Sequence, residues 1–220
     1  MDTDNIPSQA RNVSTVNIDA RIRLVTRTYH HGNLRPALVE TAAELARAKG
    51  PDGVVLREVA RRTGVSHNAA YRHFADREEL LGEVAQVGMD GLEQAMLDRW
   101  ATVRTRDPKR RAVRRLRETG RAYVEFALAE PGLFEVAFAT HVGTGEGGPY
   151  ALLNAALDEL VEVGAMPPER RAGADVACWA GMHGFALLHL HGPLREVPAA
   201  ERDAALDRML DLIELALAPG

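Results

Sequence analysis

The stretch GVSHNAAYRHF, residues 64–74, places two histidines, an asparagine, a tyrosine and an arginine on one short predicted helix, with small alanines between them. Exposed helix positions are more favourably filled by Glu, Lys or Gln. The stretch also contains no acidic side chain, and an acid there would repel a polyanion. Its composition therefore indicates a helix whose exposed side chains contact a partner.

A second short helix is predicted just before this stretch, at about 56–62, and Gly64 ends it. Ser66 is a favourable N-cap for the helix that follows. Two short helices joined by a tight turn have the form of a helix-turn-helix, in which the second helix lies in the major groove of DNA. Ala70 and Phe74 are four residues apart, so we expect both to face the protein core.

The other side chains of this third helix are then free to face DNA. Asn, Arg and His offer donors and acceptors to base edges, and an alanine can approach a thymine methyl group. Tyr and His side chains, and backbone N–H groups at the start of the next helix, suit phosphates. The expected base-facing side chains are Ser66, His67, Asn68, Ala69, Tyr71 and Arg72, and the expected phosphate contacts are at Tyr71, His73 and near Arg77.

The longer stretch LREVARRTGVSHNAAYRHFADREELL, residues 56–81, resembles the tetracycline repressor (TetR) family. The resemblance lies in its Arg-x-x-Ala, Gly-Val-Ser and Tyr-x-His-Phe patterns and in the basic residue before a Leu pair. Two positions depart from the family pattern, because Val55 replaces a Ser or Thr cap and Arg77 replaces a Lys. The resemblance implies base contacts from Arg57, His67, Asn68, Ala69 and Arg72, and phosphate contacts from Tyr71, His73 and Arg77.

Beyond this region the apolar residues recur with the 3.6-residue period of helices, and strand-forming residues are scattered. The chain is therefore predicted to be all-α, with about nine helices. Asp76 is expected to cap the fourth helix, with Glu79 three residues later as in a capping box. The predicted helices lie at about 33–49, 56–62, 66–74, 77–103, 109–129, 132–140, 149–163, 170–191 and 199–217.

Charge and composition divide the chain into three predicted parts. Residues 1–28 form a polar arm that we expect to be disordered, 29–82 the DNA-binding head, and 83–220 a helical effector-binding and dimerisation domain. The net charge is −4, yet 21–82 contain ten Arg and one Lys against five Glu and two Asp. A basic head on an acidic chain is typical of a protein that binds a polyanion at one end. The arginines of 104–117 are expected to pair with nearby acids.

Two C-terminal stretches extend the resemblance. WAGMHGFALLHLHG, residues 179–192, looks like the Trp-His-Gly (WHG) signature of one subgroup of the family, and PGLFEVAFA, residues 131–139, is similar to the helix that often precedes the family's pocket loop. The resemblance implies a small-molecule effector, and the aromatic side chains suggest an apolar or aromatic one. Core packing would explain the same side chains. The candidate wall residues are Trp100, Tyr123, Phe126, Phe134, Phe138, His141, Trp179, Met182, His183 and Ala186.

The resemblance also implies a homodimer. Ala180, Gly181 and Gly184 form a surface of small residues that permits close contact between helices, as in a four-helix interface between two subunits. A monomeric core would use such residues too. The side chains that the last helix offers to the same interface are Leu206, Met209, Leu210, Ile213 and Leu217.

Other classes of protein lack support in the sequence. No apolar run reaches the roughly 18 to 20 residues of a membrane span, so we expect a cytoplasmic protein. A lone Cys178 excludes an internal disulfide. His183, His189 and His191 cannot converge on one metal from a single helix, and no cofactor is expected. An enzyme built on His183 and Asp175 would lack a phosphate loop, a nucleophile elbow and a metal box.

The sequence therefore predicts a ligand-responsive transcriptional regulator, most simply a repressor that leaves a palindromic DNA operator when a small molecule binds the C-terminal domain. An activator or a broad DNA-binding regulator with the same head is an open alternative. A protein-interaction adaptor is disfavoured, because it would leave His67, Asn68 and Tyr71 without a role.

Overall fold

The computed structural model describes residues 34–139 and 147–219. The predicted arm, residues 29–33 of the predicted head and His141 lie outside these ranges. Within them the chain is all-α, as predicted, and none of its helices is long and apolar enough to cross a membrane. The described helices are α1 (Leu34–Lys49), α2 (Leu56–Thr63), α3 (His67–Tyr71), α4 (Arg77–Thr102), α5 (Pro108–Ala129), α6 (Pro131–Ala139), α7 (Gly148–Glu162), α8 (Ala174–Leu190) and α9 (Ala199–Leu217).

Local capping signals set the ends of the head helices. Gly64 ends α2 in the left-handed region, with a φ of 77°, where glycine carries no steric penalty. The Oγ of Ser66 accepts the backbone N–H of Ala69 at 3.2 Å and caps α3, as predicted. Val55 begins α2 without a side-chain cap.

The predicted Asp76 cap of α4 is confirmed. Its carboxylate accepts the N–H of Glu79 at 2.8 Å. The Glu79 carboxylate accepts in turn the N–H of Ala75 at 2.8 Å, one residue before the cap position of a standard capping box. The two bonds fix the start of α4 directly after the α3 segment.

The first three helices enclose an apolar core. Leu38 and Leu45 of α1, Val59 of α2, and Ala70 and Phe74 of the α3 segment are fully buried. The prediction that Ala70 and Phe74 face inward is therefore confirmed. Within this core the Thr63 hydroxyl donates to the Thr41 hydroxyl at 3.1 Å and joins α2 to α1.

The longer helices pack around two apolar clusters. One contains Tyr123, Phe134 and Met182, and the other contains Leu157 and Cys178. Helix α4 packs on α5, α6 and α7, while α5 also packs on α8 and α9. The same bundle of helices therefore surrounds both clusters.

The start of α8 differs from the prediction. At the start of the predicted helix 170–191 the structure instead has the end of a 3-10 helix, Pro168–Arg170, followed by a turn at 171–173. Gly173 then takes a left-handed φ of 75° as the N-cap. Because that conformation cannot continue an α-helix, α8 begins at Ala174.

The predicted use of α9 is partly wrong. Leu206 and Leu210, expected at a subunit interface, are each only 3% exposed and pack on the core of their own subunit. Met209 and Ile213 also pack against this core. On α9 it is Leu212 and Leu215 that are exposed. The misassignment arises because α9 carries leucines on two faces, and periodicity does not say which one faces inward.

Four of the seven arginines of 104–117 pair with acids, so the prediction is confirmed in part; Arg104, Arg106 and Arg114 have no acidic partner among the described residues. Arg111 and Arg115 bind Glu159 of α7 at 3.1 and 2.9 Å. Arg117 binds three acids of α9, which are Asp207, Asp211 and Glu214. These pairs fasten α5 to α7 and α9.

The C-terminal half of α1 lies directly against the start of α6. A Cβ atom added to Gly132 would stand 1.9 Å from the carbonyl oxygen of Ala46. Beside this contact the Arg47 Nε donates to the Glu130 carboxylate at 3.0 Å. The close approach of the two backbones therefore requires a glycine at position 132.

We expect Gly132→Ala to lower the free energy of unfolding by roughly 1–3 kcal/mol, because α1 and α6 must separate to admit the methyl group. Urea unfolding monitored by circular dichroism measures the change. The control is Gly82→Ala in α4, where a Cβ meets no atom within 4 Å. That variant should be unchanged or more stable by up to about 1 kcal/mol, and equal losses in both variants would contradict the packing argument.

Candidate DNA-binding face and effector cavity

One exposed face of α3 carries the polar side chains singled out in the sequence. Ser66, His67, Asn68, Tyr71 and Arg72 are exposed, and Ala69 and His73 are half-buried. The rings of His67 and Tyr71, one turn apart, meet edge to face with centroids 4.5 Å apart. The inward Ala70 and Phe74 hold this face outward.

Charged and polar groups on this face lack internal partners. Within the described residues, Arg57, Asn68 and Arg72 make no side-chain hydrogen bond or ion pair. Arg61 and Arg62 of α2 differ, because both bind the Glu58 carboxylate, at 2.7 and 2.9 Å. Unpaired donors on an exposed face remain available to an anionic partner.

The Arg77 side chain is engaged within the head. Its Nε donates to the Val54 carbonyl at 2.8 Å and its Nη2 to the Pro51 carbonyl at 2.6 Å. The guanidinium thus ties the start of α4 to the loop before α2. At the start of α4 the N–H of Glu79 already donates to the Asp76 carboxylate, so among the described groups those of Arg77 and Glu78 are left for a phosphate.

Arg35 of α1 is a supporting residue that the sequence reasoning missed. Its guanidinium lies over the Phe74 ring, 4.4 Å from the centroid, and also donates to the His73 carbonyl. It pairs with Glu79 at 3.2 Å and Glu83 at 2.7 Å. The end of the α3 segment is therefore held between α1 and α4. An arginine in the first turn of a helix gives no signal of this role.

A cavity of about 550 Å³ lies among α4–α9. Its size suits a small organic molecule. Aromatic side chains dominate one side, where Phe138 stands 5.0 Å from His183 and Tyr150 stands 5.3 Å from Trp179, centroid to centroid. Thioethers and aliphatic groups of Met89, Met96, Met182, Leu153 and Ile213 complete most of the apolar wall.

A chain of hydrogen bonds runs along this wall. The Trp179 Nε1–H donates to the Tyr123 hydroxyl at 3.3 Å, and that hydroxyl stands 2.8 Å from the His183 Nδ1. When the Tyr123 O–H points to Nδ1, both the Trp179 N–H and the Tyr123 O–H have an acceptor. The imidazole proton of His183 then lies on Nε2. His183 then offers the cavity a single N–H donor.

Burial sets the charge states of the Tyr123 and His183 side chains. Desolvation lowers the pKa of His183 and raises the pKa of Tyr123 well above its ordinary range, since a low dielectric disfavours the charged form of each. Both groups are therefore neutral at pH 7.

The predicted wall residues divide into two groups. Tyr123, Phe138, Trp179, Met182 and His183 line the cavity. The others pack in the core behind it, because the space against them is already filled by neighbouring side chains. These are Trp100, whose Nε1 donates to Thr119 at 2.8 Å, and Phe126, Phe134 and Ala186.

Several lining residues were missed by the sequence reasoning. Gln86, Met89, Glu93 and Met96 recur at three- and four-residue spacing and form the α4 side of the cavity. Tyr150 of α7 also lines it, with its hydroxyl donating to the Asp175 carboxylate. The helical spacing of Met89, Glu93 and Met96 is visible in the sequence. An acidic residue within that spacing is more typical of a solvent-exposed helix face, so the sequence did not indicate a cavity wall.

The three histidines of the 179–192 stretch have separate partners. His189 is buried, with Nδ1 2.9 Å from the Phe185 carbonyl, and His191 Nε2 stands 2.8 Å from the Glu135 carboxylate. Among residues 34–139 and 147–219, no three His, Cys, Asp or Glu side chains are grouped as metal ligands.

We expect the pKa of His183 to lie below its ordinary value of about 6.5, because burial disfavours the imidazolium. As the pH falls through about 6.5 the unfolded chain takes up the proton first, so the free energy of unfolding falls until the folded-state pKa is passed. NMR titration of the ring measures the pKa, and comparison with His183→Gln isolates its share of the pH dependence. A pKa at or above the ordinary value would contradict this account.

Comparison with known proteins agrees with this geometry. A sequence model described as "Bacterial regulatory proteins, tetR family" matches residues 38–84. A second, described as "Tetracyclin repressor-like, C-terminal domain", matches residues 116–213. The first match takes in the helix-turn-helix and the second most of the cavity wall.

Relatives and solved structures agree in fold. The HTH-type transcriptional regulator YobS of Bacillus subtilis (strain 168) is 29% identical over 106 residues, 48% of this chain and 52% of YobS. The matched part thus spans about half the length of this curated relative. A Rhodococcus sp. RHA1 protein of unknown function is 29% identical, with 88% of this chain and 100% of that one covered and a TM-score of 0.67.

A TetR variant from Acinetobacter baumannii AYE, solved in complex with minocycline, has the same fold at 20% identity, with 85% of this chain and 95% of that one covered and a TM-score of 0.57. The two sequence matches follow one another along the chain, in the order head then C-terminal helices. The chain therefore belongs to the tetracycline repressor family of bacterial regulatory proteins.

Proposed function

We propose that this protein is a ligand-responsive transcriptional repressor that binds a palindromic DNA operator as a homodimer. The observation that carries the proposal is the exposed face of α3, where the side chains of Asn68 and Arg72 have no hydrogen-bond or ion-pair partner among the described residues. A helix held outward by a buried Ala70 and Phe74 suits insertion into the major groove. Binding to DNA in a bacterial cell places the protein in the cytoplasm.

The head, residues 29–82, supplies the DNA contacts. We assign the base-reading role to Arg57, His67, Asn68, Ala69 and Arg72, with Ser66 as the cap that presents them. Tyr71, His73 and the N–H groups near Arg77 contact phosphates, which position the head without reading sequence. Because the Arg77 guanidinium is held by the Val54 and Pro51 carbonyls, its role there is to orient the start of α4.

The homodimer is supported by an exposed apolar surface on α8 and α9. The two helices pack together where Gly181 faces Met209, and both carry exposed apolar side chains. An exposed apolar patch of this kind marks a contact with another protein. The surface consists of Val176, Leu187 and Leu188 on α8 and Leu212 and Leu215 on α9. Ala180 lies on the same exposed side of α8.

The C-terminal domain, residues 83–220, supplies the effector site in the 550 Å³ cavity. The structural neighbour from Acinetobacter baumannii holds minocycline, which supports a cavity of this fold as a ligand site. Two helices connect the cavity to the head. Helix α4 runs from the Asp76 cap to the cavity wall at Met96, and α6 runs from the Gly132 contact with α1 to Phe138.

Binding at the cavity and binding to DNA are coupled through these two helices. If the effector and the operator favour different positions of α4 and α6, each weakens the other by the same factor, typically about 5- to 150-fold. The effector then releases the operator by changing the distance between the two α3 helices, which is about 34–36 Å for adjacent half-sites. In an activator the contacts would be the same, but the effector would favour the positions of α4 and α6 that bind the operator.

The proposed function is tested by selecting bound DNA from a random pool and measuring affinity for the winning sequence. We expect a palindrome, and a loss of about 10- to 100-fold for Arg72→Ala, since one base contact contributes about 1–3 kcal/mol. The matched control is Arg106→Ala, which removes an exposed, unpaired arginine from the described chain outside the head. Absence of sequence preference over bulk competitor DNA, or equal losses in both variants, would sink the proposal.

The dimer surface is tested by Leu212→Glu. Leu212 is 58% exposed in the single chain, and burying a carboxylate between subunits is costly. We expect the dimer dissociation constant to rise at least about 30-fold, as for a central interface residue. Sedimentation velocity measures it. Leu97→Glu, at an exposed leucine of α4, should leave the dimer intact, and a dimer unaffected by Leu212→Glu would place the interface elsewhere.

A further inference from the structure

Some charged side chains on the cavity wall have an ion-pair partner in the protein and one does not, among the described residues. Among the described residues its lining includes the carboxylates of Glu93 and Glu214 and the guanidinium of Arg117. A ligand that enters the cavity meets these groups in a mostly apolar setting, where charge interactions are stronger than in water. Which of them already has a partner therefore decides what charge the ligand carries.

The guanidinium of Arg117 forms ion pairs with three acids of α9. Its Nη1 stands 2.8 Å from both Asp211 and Glu214, and its Nη2 stands 3.1 Å from Asp207. Three carboxylates therefore surround one guanidinium, and Glu214 is one of the acids that it pairs with. An anionic ligand would have to compete with all three acids for this arginine.

Glu93 has no such partner. No described residue makes a hydrogen bond or an ion pair with its carboxylate, although the side chain is half-buried. It lies on α4 between Met89 and Met96, which line the same cavity. An unpaired carboxylate beside apolar side chains attracts a cation more strongly than it would in open water.

The rest of the wall suits an aromatic cation. Tyr123, Phe138, Trp179 and Tyr150 line the cavity with aromatic rings. The face of such a ring attracts a cation as well as an apolar body. His183 does not add positive charge, since burial lowers its pKa. The lining therefore combines a negative site with aromatic surfaces and offers no free positive group among the described residues.

We infer that the effector is a flat aromatic cation, whose positive charge lies beside the Glu93 carboxylate and whose rings stack among the aromatic side chains of the cavity. The inference rests on the proposed function for its regulatory meaning. Binding itself is a property of the cavity and is measured on the full-length protein without DNA.

The test uses three acridines of nearly equal size. At pH 7.5, 9-aminoacridine is a cation, acridine is neutral and acridine-9-carboxylate is an anion. Titration calorimetry with the purified dimer measures each dissociation constant. We expect the cation to bind at least about tenfold more tightly than the neutral ring, a difference that corresponds to one modest charge interaction, and the anion to bind most weakly.

Two variants separate the Glu93 contact from net charge. Glu93→Gln keeps the shape of the side chain, so the advantage of the cation over neutral acridine should disappear while acridine binds as before. Asp98→Asn removes one negative charge from an exposed position of the same helix and should leave all three affinities unchanged. Equal effects of the two variants, a preference for the neutral or anionic ring, or no binding of the cation at millimolar concentration would overturn the inference.

The outcome is independent of the DNA experiment. If the wild-type protein selects an operator but prefers the neutral ring, the cation inference fails and the regulator remains. If the cation binds through Glu93 and no operator is selected, the cavity is as inferred and the proposed function fails.

Discussion

The close contact between the backbone of α6 and the Ala46 carbonyl constrains the rest of the structure. It holds the end of α1 against Gly132, at a distance that no side chain tolerates. The opposite end of α6 carries Phe138 into the cavity wall. Because a nine-residue helix moves as a rigid body, a displacement at Phe138 is carried to α1. Helix α6 is therefore the shorter of the two helices that connect the cavity to the head.

The ends of the head helices were predictable because their causes are local. Ser66, Gly64 and Asp76 act on residues within four positions, so the sequence contains the complete interaction. The inward face of α3 follows equally from the spacing of Ala70 and Phe74. Arg35 was not predictable, because it joins α1 to residues 38 and more positions away, and such contacts exist only once the helices have packed.

The cavity could be predicted only in part. Aromatic residues at helical spacing mark a face that turns inward, but whether they meet a void or another side chain depends on the facing helix. Phe134 and Phe138 are four apart on one helix, yet Phe134 is only 1% exposed in the core and Phe138 lines the cavity. On α9 the same difficulty led to the core-facing side being assigned to the subunit interface. Leu210 faces inward and Leu212 faces outward.

Helix α4 explains how a single charge contact in the cavity can affect DNA. Glu93 lies 17 residues after the Asp76 cap, which is about 25 Å along a continuous helix at about 1.5 Å per residue. In the mechanism proposed above, a cation would draw Glu93 toward the aromatic side chains and so displace α4, whose first turn is tied by Arg77 to the loop before α2. Since the two heads must match half-sites of fixed spacing, a small displacement at each head is added across the dimer. If this ion contact forms in only one of two positions of α4, its free energy is comparable with the coupling of about 1–3 kcal/mol that such regulation requires, and the effector then needs no extensive remodelling of the cavity.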